Sequence, residues 1–262
     1  MIRSMMTAAT GMEAQQLYMD TISNNLSNVN TVGFKRSKLE FQDLMYQVMR
    51  QPGVRNFEGG MAPAGIETGL GVKPAATQRV FEQGSLNRTE NPLDWAIQGE
   101  GFFQIMMPDG GTGYTRDGSF KLSNDGTIVN SSGLYFEPRI SIPEGSTELS
   151  VSSDGIVSVK LFGDETSTEI GQIEIARFIN PSGLSSIGGN LYVASDASGE
   201  PVVSFPGEEG SGLIIQKYTE ASNVQIVDEM VNMISAQRAF EIISKSIQVS
   251  EEMLQVANNL KR

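Results

Sequence analysis

Cysteine and histidine are both absent from this 262-residue chain. Their absence excludes disulfides, thiol nucleophiles, structural zinc sites and serine–histidine–aspartate relays. No apolar run approaches the roughly 20 residues that a membrane-spanning helix requires. The first ten residues lack the hydrophobic region of a secretory leader, so we expect no cleaved signal peptide.

Glycine and proline are scarce at both ends of the chain. All 10 prolines lie between Pro52 and Pro206, and 26 of the 28 glycines lie between Gly53 and Gly212. Charge divides in the same way: residues 52–212 carry −12, whereas residues 1–51 carry +1 and residues 213–262 carry −1. An acidic surface repels phosphates and anionic headgroups, so we expect neither nucleic acid nor direct membrane insertion. The pattern indicates two near-neutral arms around an acidic centre.

The first arm has the periodicity of a helix. Its seam positions recur at spacings of three and four, as in a heptad stripe, with the polar Gln16 and Ser23 interrupting the apolar members Ile2, Met5, Ala9, Met12, Met19 and Leu26. We expect this helix to continue to about Asn28 and to end in the turn that contains Gly33. A second short helix is predicted from Phe41 to Met49, before Pro52.

The last arm carries two apolar stripes on one predicted helix, which runs from about Asn223 to Asn259. The first stripe is Ile226, Met230, Met233, Ala236, Phe240, Ile243, Ile247, Leu254 and Ala257. The second is displaced by one residue, about 100°, and consists of Val227, Val231, Ile234, Ile242, Val249, Met253, Val256 and Leu260. The first arm can cover one stripe, and we infer that other copies of the chain cover the second.

The centre has the pattern of short β-strands. Runs rich in β-branched and aromatic residues occur at 95–97, 102–105, 120–122, 128–129, 157–159 and 173–175. Four Asp-Gly dipeptides of the hairpin type separate such runs: Asp109-Gly110, Asp117-Gly118, Asp125-Gly126 and Asp154-Gly155. The stretch from Gln51 to Gly71 contains six glycines and two prolines and is predicted to be an extended connector.

These patterns predict a mixed α+β fold. The N- and C-terminal helices pair as a coiled-coil-like arm, and the centre is a hairpin-rich all-β domain. The expected division is an N-terminal helical arm (1–33), a short helix with a Gly/Pro connector (34–80), a central β domain (81–218) and a C-terminal helical arm (219–262).

A catalytic constellation is not recognisable. Gly69-Leu70-Gly71 and Gly99-Glu100-Gly101 complete neither a dinucleotide fingerprint nor a P-loop. A carboxylate pair for glycoside hydrolysis needs no histidine or cysteine, but 31 acidic residues always provide some pair at a suitable distance. We therefore expect no catalytic residues, no cofactor and no metal site. Trp95 is interpreted as a core residue, and the basic run from Lys35 to Lys38 as a complement to a neighbouring copy's acidic centre.

Several motifs resemble those of the bacterial flagellar rod and hook proteins. The N-terminal signature corresponds to residues 23–35 (SNNLSNVNTVGFK), and the C-terminal signature to residues 221–224 (ASNV) and 229–241 (EMVNMISAQRAFE). Residues 99–103 (GEGFF) and 114–120 (YTRDGSF) resemble the family's central β domain, and residues 83–86 and 91–94 resemble its distal-rod members. Ser27, Trp95 and Phe240 depart from the family pattern.

The resemblance implies a structural role. Members of this family are exported unfolded through a type III channel and assemble as a hollow helical tube, with terminal helices inside and β domains outside. A distal-rod subunit crosses the periplasm, transmits torque to the hook and conducts exported subunits. The implied partners are further copies of the chain, other rod proteins, the hook protein, the periplasmic and outer-membrane ring proteins and the export apparatus. The connector is a candidate inter-subunit brace.

Two alternatives remain open from the sequence. A hook or proximal-rod member of the same family would share both arms, and a secreted glycosidase would use an acid pair. The residues expected to mediate self-assembly in the N-terminal segment are Ile2, Met5, Met12, Met19, Ile22, Asn24, Asn25, Leu26, Asn28, Asn30, Gly33 and Phe34. Those in the C-terminal segment are Ile226, Val227, Met230, Val231, Met233, Ile234, Gln237, Arg238, Phe240, Ile243, Ile247, Met253, Leu254 and Leu260.

Overall fold

A computed structural model describes residues 2–51, 64–162 and 166–259. Two long helices frame twenty short strands, as the mixed α+β prediction requires. In chain order the elements are α1 (Ile2–Ser27), β1 (Ser37–Asp43), β2 (Tyr46–Arg50), β3 (Ile66–Gly69), β4 (Val72–Arg79), β5 (Leu86–Arg88), β6 (Trp95–Gln98), β7 (Phe102–Met106), β8 (Thr112–Thr115), β9 (Lys121–Leu122), β10 (Ile128–Val129), β11 (Phe136–Glu137), β12 (Ser146–Val151), β13 (Ile156–Leu161), β14 (Thr168–Gln172), β15 (Ile175–Arg177), β16 (Ser185–Gly188), β17 (Leu191–Val193), β18 (Val202–Ser204), β19 (Leu213–Gln216), β20 (Tyr218–Glu220) and α2 (Ile226–Asn259), with a 3₁₀ turn at Pro181–Gly183.

The described chain divides into two compact units. The helical unit contains residues 1–26, 37–78 and 225–262, and the β unit contains residues 27–36 and 79–224. Neither described helix has the length and apolar character required to span a membrane. Residues 52–63, which form most of the predicted connector, lie outside the described residues.

In the helical unit α1 and α2 run antiparallel. A Cβ placed on Gly11 would lie 3.3 Å from Ile243 Cδ1, and fourteen residues further along α1 the Asn25 amide donates to Glu229 Oε1 at 3.3 Å. α2 begins with Asp228 and Glu229 in its first turn, where carboxylates interact favourably with the helix dipole. The α1 boundary agrees with the predicted end near Asn28.

The predicted helix from Phe41 to Met49 is wrong. This stretch forms the end of β1 and most of β2, with β1 paired to β4 and β2 paired to β3. Its apolar side chains do not form a buried helical face, because Phe41, Met45 and Met49 are all exposed. Pairing with distant strands, which a local pattern cannot reveal, determines the conformation here.

The β unit is built around a seven-stranded sheet with the order β16-β17-β8-β7-β15-β18, and β11 also pairs with β7. One face covers a core in which Trp95, Phe103, Phe120 and Phe136 are fully buried and contact one another edge to face or at a tilt. A second aromatic cluster on the other face includes Phe102, Tyr114, Phe178 and Tyr192. The expectation that Trp95 is a core residue is therefore confirmed.

Three of the four Asp-Gly dipeptides form the expected turns between strands. Gly110, Gly126 and Gly155 have φ values of +85°, +72° and +79°. Gly118 is different, and the hairpin prediction is wrong there: it lies so close to Trp95 that an added Cβ would come within 1.6 Å of the Trp95 carbonyl oxygen. Glycine is required at this position for space, so that the chain can pass beside β6.

Candidate functional site

One complete apolar face of α2 is open to solvent. Seven side chains, each between 45 and 72 % exposed, define this open face of α2: Val227, Val231, Ile234, Ile242, Val249, Met253 and Val256. They are the described members of the second stripe predicted from the sequence. An apolar face of this length in water is characteristic of an interaction surface.

The first stripe of α2 lies toward α1 over most of its length. Ala236 is buried, and Met233, Phe240, Ile243, Ile247 and Leu254 are half-buried, whereas Ile226 and Met230 at the start of the helix and Ala257 near its end are exposed. Gln237 and Arg238 are also exposed, and Leu260 lies outside the described residues. The two stripes therefore differ in burial as the sequence predicts.

The predicted N-terminal assembly residues fall into three classes. Ile22, Asn25, Gly33 and Phe34 are buried; Met5, Met12, Met19, Leu26 and Asn28 are half-buried; Ile2, Asn24 and Asn30 are exposed. Because buried residues do not reach a neighbouring copy without rearrangement, their positions indicate an internal structural role. The exposed members lie on the solvent-accessible surface.

A buried charge cluster lies inside the β unit, where the segment that follows α1 meets the segment that precedes α2. Lys35 Nζ lies 2.5 Å from Glu220 Oε1, and Arg116 Nη1 lies 3.3 Å from Glu220 Oε2. The side chains of Lys35 and Glu220 are fully buried. We call Lys35, Arg116 and Glu220 the junction triad, because Lys35 follows α1, Glu220 precedes α2 and Arg116 belongs to the central sheet.

Backbone groups complete the junction triad. Lys35 also donates to the Glu82 carbonyl at 2.7 Å, Arg116 donates to the Gly99 carbonyl at 2.7 Å, and the Gly84 N–H donates to Glu220 Oε1 at 3.0 Å. Burial lowers the pKa of Lys35 below its ordinary value of 10.5, while the Glu220 carboxylate acts in the opposite direction. The expected role of Lys35 as a surface complement to a neighbouring copy is thus wrong, since its ammonium is enclosed within its own β unit.

Asn223 connects three separate segments beside the junction triad. Its Oδ1 accepts from the Arg36 N–H at 2.8 Å, and its amide donates to the Val80 and Glu82 carbonyls at 2.8 and 3.2 Å. Each of these segments continues into the helical unit within a few residues. An asparagine suits this position because one short side chain offers both an acceptor and two donors.

Asn25 has a comparable role inside the helical unit. Its amide donates to the Ser37 carbonyl at 2.8 Å and to Glu229 Oε1 at 3.3 Å. Its Oδ1 accepts from the Ser37 N–H at 2.9 Å. These bonds fasten the end of α1 to the start of β1 and to the first turn of α2. Asn25 therefore holds three elements of the helical unit together.

Sequence reasoning missed Arg116, Glu220 and Asn223 as members of a site, and it misplaced Lys35. Arg116 and Asn223 do lie inside the family-like motifs at 114–120 and 221–224, which was the available signal. Glu220 lies just outside them. No local pattern relates an acid to cations that precede it by 185 and 104 residues.

Comparisons with known proteins cover both arms and the centre. The profile of the flagella basal body rod protein matches residues 5–35, that of the flagellar hook protein FlgE/F/G D1 domain matches residues 96–159, and that of the flagellar basal body rod FlgEFG protein C-terminal matches residues 215–260. The first match covers α1 from residue 5 onward and the turn that follows it, and the third contains all of α2. The second contains three of the seven strands of the large sheet, β7, β8 and β11.

Curated relatives align along the whole chain. The flagellar basal-body rod protein FlgG of Borreliella burgdorferi is 51% identical over 264 residues, covering all of both chains. The FlgG proteins of Buchnera aphidicola (subsp. Schizaphis graminum) and Caulobacter vibrioides are 48% and 45% identical, each over 99% of this chain and 100% of the relative. With identities this high over full-length alignments, the chain belongs to the flagellar basal-body rod protein family.

Proposed function

We propose that this rod subunit polymerises with copies of itself into the distal part of the rod. In this proposal the tube is hollow, transmits torque to the hook and conducts exported subunits. The observation that carries the proposal is the open face of α2, because a stripe of seven exposed apolar side chains requires a partner to exclude water from it. A heterologous contact repeated from copy to copy generates a helical filament.

The acidic centre supports an outward position for the β unit. Residues 52–212 carry the entire net charge of −12, which keeps this part of the surface solvated while the near-neutral helices associate. The β unit would then be the part presented to ring proteins in the periplasm, with other rod proteins and the hook protein at the two ends of the tube. Export of the unfolded chain through the type III apparatus belongs to the same proposal.

The inter-subunit brace that the sequence placed at Gln51–Gly71 is here extended to the ribbon of β2 and β3, of which only β3 lies within that connector. Met45, Tyr46, Val48, Met49 and Ile66 are all exposed on this two-stranded element. A ribbon of two strands is marginal alone in water, so contact with a second copy would both cover these side chains and resist sliding. The remainder of the predicted connector, residues 52–63, lies outside the described residues.

Electron microscopy of basal bodies from a strain that lacks this chain tests the proposal. A rod that stops short, without hook or filament, supports a distal-rod building block. A complete rod that ends without a hook would favour the hook protein instead, and intact basal bodies with normal hooks would contradict an axial role. In the last case the purified protein should be assayed for glycan hydrolysis.

A further inference from the structure

The two helices present opposite charges on their open faces. The open face of α1 consists of side chains within about 40° of Glu13 at 100° per residue, all exposed: Ile2, Met6, Ala9, Glu13, Leu17, Asp20 and Asn24. Two of its members, Glu13 and Asp20, are acidic and are seven residues apart. This face points away from α2, because Ala14, Ile22 and Asn25 on the other side of α1 are buried.

The middle of the open face of α2 carries the complementary pair, whereas the exposed acids Asp228 and Glu252, which lie about 60° from Val231 as Ile234 does, are near its two ends. Arg238 and Lys245 lie within about 40° of Val231 on the helix circumference, and both side chains are exposed. They too are seven residues apart, so each pair of charges is separated by roughly 10 Å along its helix. Apolar side chains flank the charges on both faces: Met6 and Leu17 on α1, Ile234 and Ile242 on α2.

None of these four charges forms an ion pair within the part of the chain that the structure describes. The ion pairs among residues 2–51, 64–162 and 166–259 are Lys35–Glu220, Arg36–Glu82 and Arg116–Glu220. Glu13 and Asp20 do not pair with Arg238 or Lys245 of the same molecule in the described structure, and the open face of α2 borders α1 at its edge, where Ile242 lines a cavity with Ala8 and Gly11. A contact between two copies would satisfy the complementarity.

We infer that the open face of α1 in one copy docks on the open face of α2 in the next, with Glu13 opposite Lys245 and Asp20 opposite Arg238. This register rests on the proposed polymerisation, in which all copies share one direction. The α1 helix of one copy then runs antiparallel to α2 of its neighbour, as it does to its own α2. Equal separations of seven residues allow both pairs to form at once.

A groove beside Asp20 provides space for the longer cation. Leu17, Asp20, Thr21, Leu39 and Pro74 are among the residues that line this open cavity of about 540 Å³ in the helical unit. An arginine side chain entering it would place its aliphatic part against Leu17 and Leu39 and its guanidinium against the Asp20 carboxylate. Arginine presents a fork of donors that matches a carboxylate, so this pair would fix the register more strongly than the lysine pair.

Charge exchange tests the register in a strain whose only copy of the chain is the variant. Glu13→Lys with Asp20→Lys, or Arg238→Glu with Lys245→Glu, should each reduce assembled rods roughly tenfold or more, because like charges then face each other. All four substitutions together should restore rods and swimming. A matched control, Glu251→Lys with Gln248→Lys and Gln255→Lys, makes the same charge change as the double lysine substitution on α1, but away from the open face of α2, and should assemble normally.

The outcomes separate this inference from the proposed function. Circular dichroism and Trp95 fluorescence of each purified variant establish that the monomer is folded. If Val231→Asp blocks rods but the fourfold exchange does not restore them, the charge register is wrong while polymerisation stands. If folded Val231→Asp still forms normal rods, polymerisation through the open face of α2 is itself contradicted.

Disulfide formation gives an independent test, because the natural chain has no cysteine. Leu17→Cys combined with Ile242→Cys places one thiol on each open face near the inferred register. Oxidation of assembled rods should yield a ladder of covalent multimers. Leu17→Cys combined with Gln248→Cys, whose second site lies on the polar side of α2, should yield no ladder; equal ladders from both pairs would overturn the register.

Discussion

The Lys35 ammonium and the Glu220 carboxylate form an ion pair in which neither side chain is exposed to solvent. This pair joins residues that are 185 positions apart in the chain, one just after α1 and the other just before α2. Because Arg116 approaches the same carboxylate, one acid balances two buried cations. The stability of the β unit therefore depends strongly on Glu220.

Glu220→Gln should destabilise the protein by about 3–5 kcal/mol, because it leaves buried cations without a counter-charge. Denaturant unfolding followed by the fluorescence of Trp95, the single tryptophan, measures the loss. Glu82→Gln is the matched control: Glu82 pairs with Arg36 at 3.8 Å but its side chain is 73% exposed, so we expect a change of about 0–1 kcal/mol. Equal effects of the two variants would contradict a special role for the junction triad.

Gly33→Ala should be far more disruptive than Gly133→Ala. Both glycines have positive φ, +69° and +81°, so both substitutions incur about 1–2 kcal/mol of backbone strain. At Gly33 the new Cβ would also lie 2.6 Å from the Asp117 backbone nitrogen, whereas nothing lies within 4 Å of a Cβ at Gly133. Because both variants share the backbone strain, the difference between their melting temperatures measures the destabilisation caused by the close contact at Gly33. Similar melting temperatures would contradict such a contact.

Tyr192 should contribute to a loss of stability in alkali. Burial raises the pKa of its hydroxyl above the ordinary value of 10.0. The unfolded chain therefore releases this proton first, and stability falls as the pH rises above about 10. Tyr192→Phe should reduce the slope of unfolding free energy against pH between pH 9.5 and 11, values chosen to bracket this tyrosine range. An unchanged slope would show that Tyr192 is solvated.

Lys35 changes the unfolding free energy with pH in the opposite direction to Tyr192, but it does not disturb the comparison between the unmodified chain and Tyr192→Phe. A lysine with a lowered folded-state pKa adds stability as the pH rises toward 10.5, where the unfolded chain loses its proton. This contribution is present in both the unmodified chain and the Tyr192→Phe variant. It therefore cancels from the difference between their slopes.

Val231→Asp should prevent assembly without unfolding the monomer. Val231 is exposed in the single chain, so the new carboxylate remains solvated there, but in the proposed tube it would be buried in an apolar contact. Gln248→Asp introduces the same group on the polar side of α2 and should assemble normally. Swimming, together with electron microscopy of basal bodies, distinguishes the two, and normal rods from Val231→Asp would refute the contact.

The helical unit of the monomer should unfold before the β unit. Among the described residues, the buried apolar side chains of the helical unit are only Ala14, Ile22, Leu39 and Ala236, whereas the β unit has a large aromatic core. Helices owe most of their stability to packing of this kind. On heating, far-ultraviolet circular dichroism should lose its helical signal before Trp95 fluorescence changes; coincident transitions would argue against this order.

Residue spacing in the sequence correctly predicted those features of the fold that depend only on neighbouring residues in the chain. The two stripes of α2 follow from helical periodicity, and the contrast between the half-buried Ile247 and the exposed Val249 could be anticipated from residue spacing. Trp95 could be assigned to the core because it begins a short apolar strand. Such features need no knowledge of distant parts of the chain.

The features that the sequence did not predict depend on contacts between residues that are far apart in the chain. Phe41 and Met49 have helix-like spacing, yet they lie in strands because β4 and β3 supply hydrogen-bonding partners. Gly118 has the sequence of a turn, but its role comes from the nearby Trp95 carbonyl. The junction triad and Asn223 likewise acquire their roles only when the two ends of the β unit meet.

The position of Glu220 late in the chain sets an order of events for folding. A chain that emerges from its N-terminus onward, from a ribosome or a narrow channel, exposes Lys35 and Arg116 long before their common counter-ion arrives. Strand β5 pairs with β20 and strand β6 pairs with β19, so neither can form its pairing until the same late segment has emerged. The β unit therefore cannot complete its folding until nearly the whole polypeptide has emerged. Until then the emerged part stays incompletely folded, and the remaining chain can continue to pass through the channel.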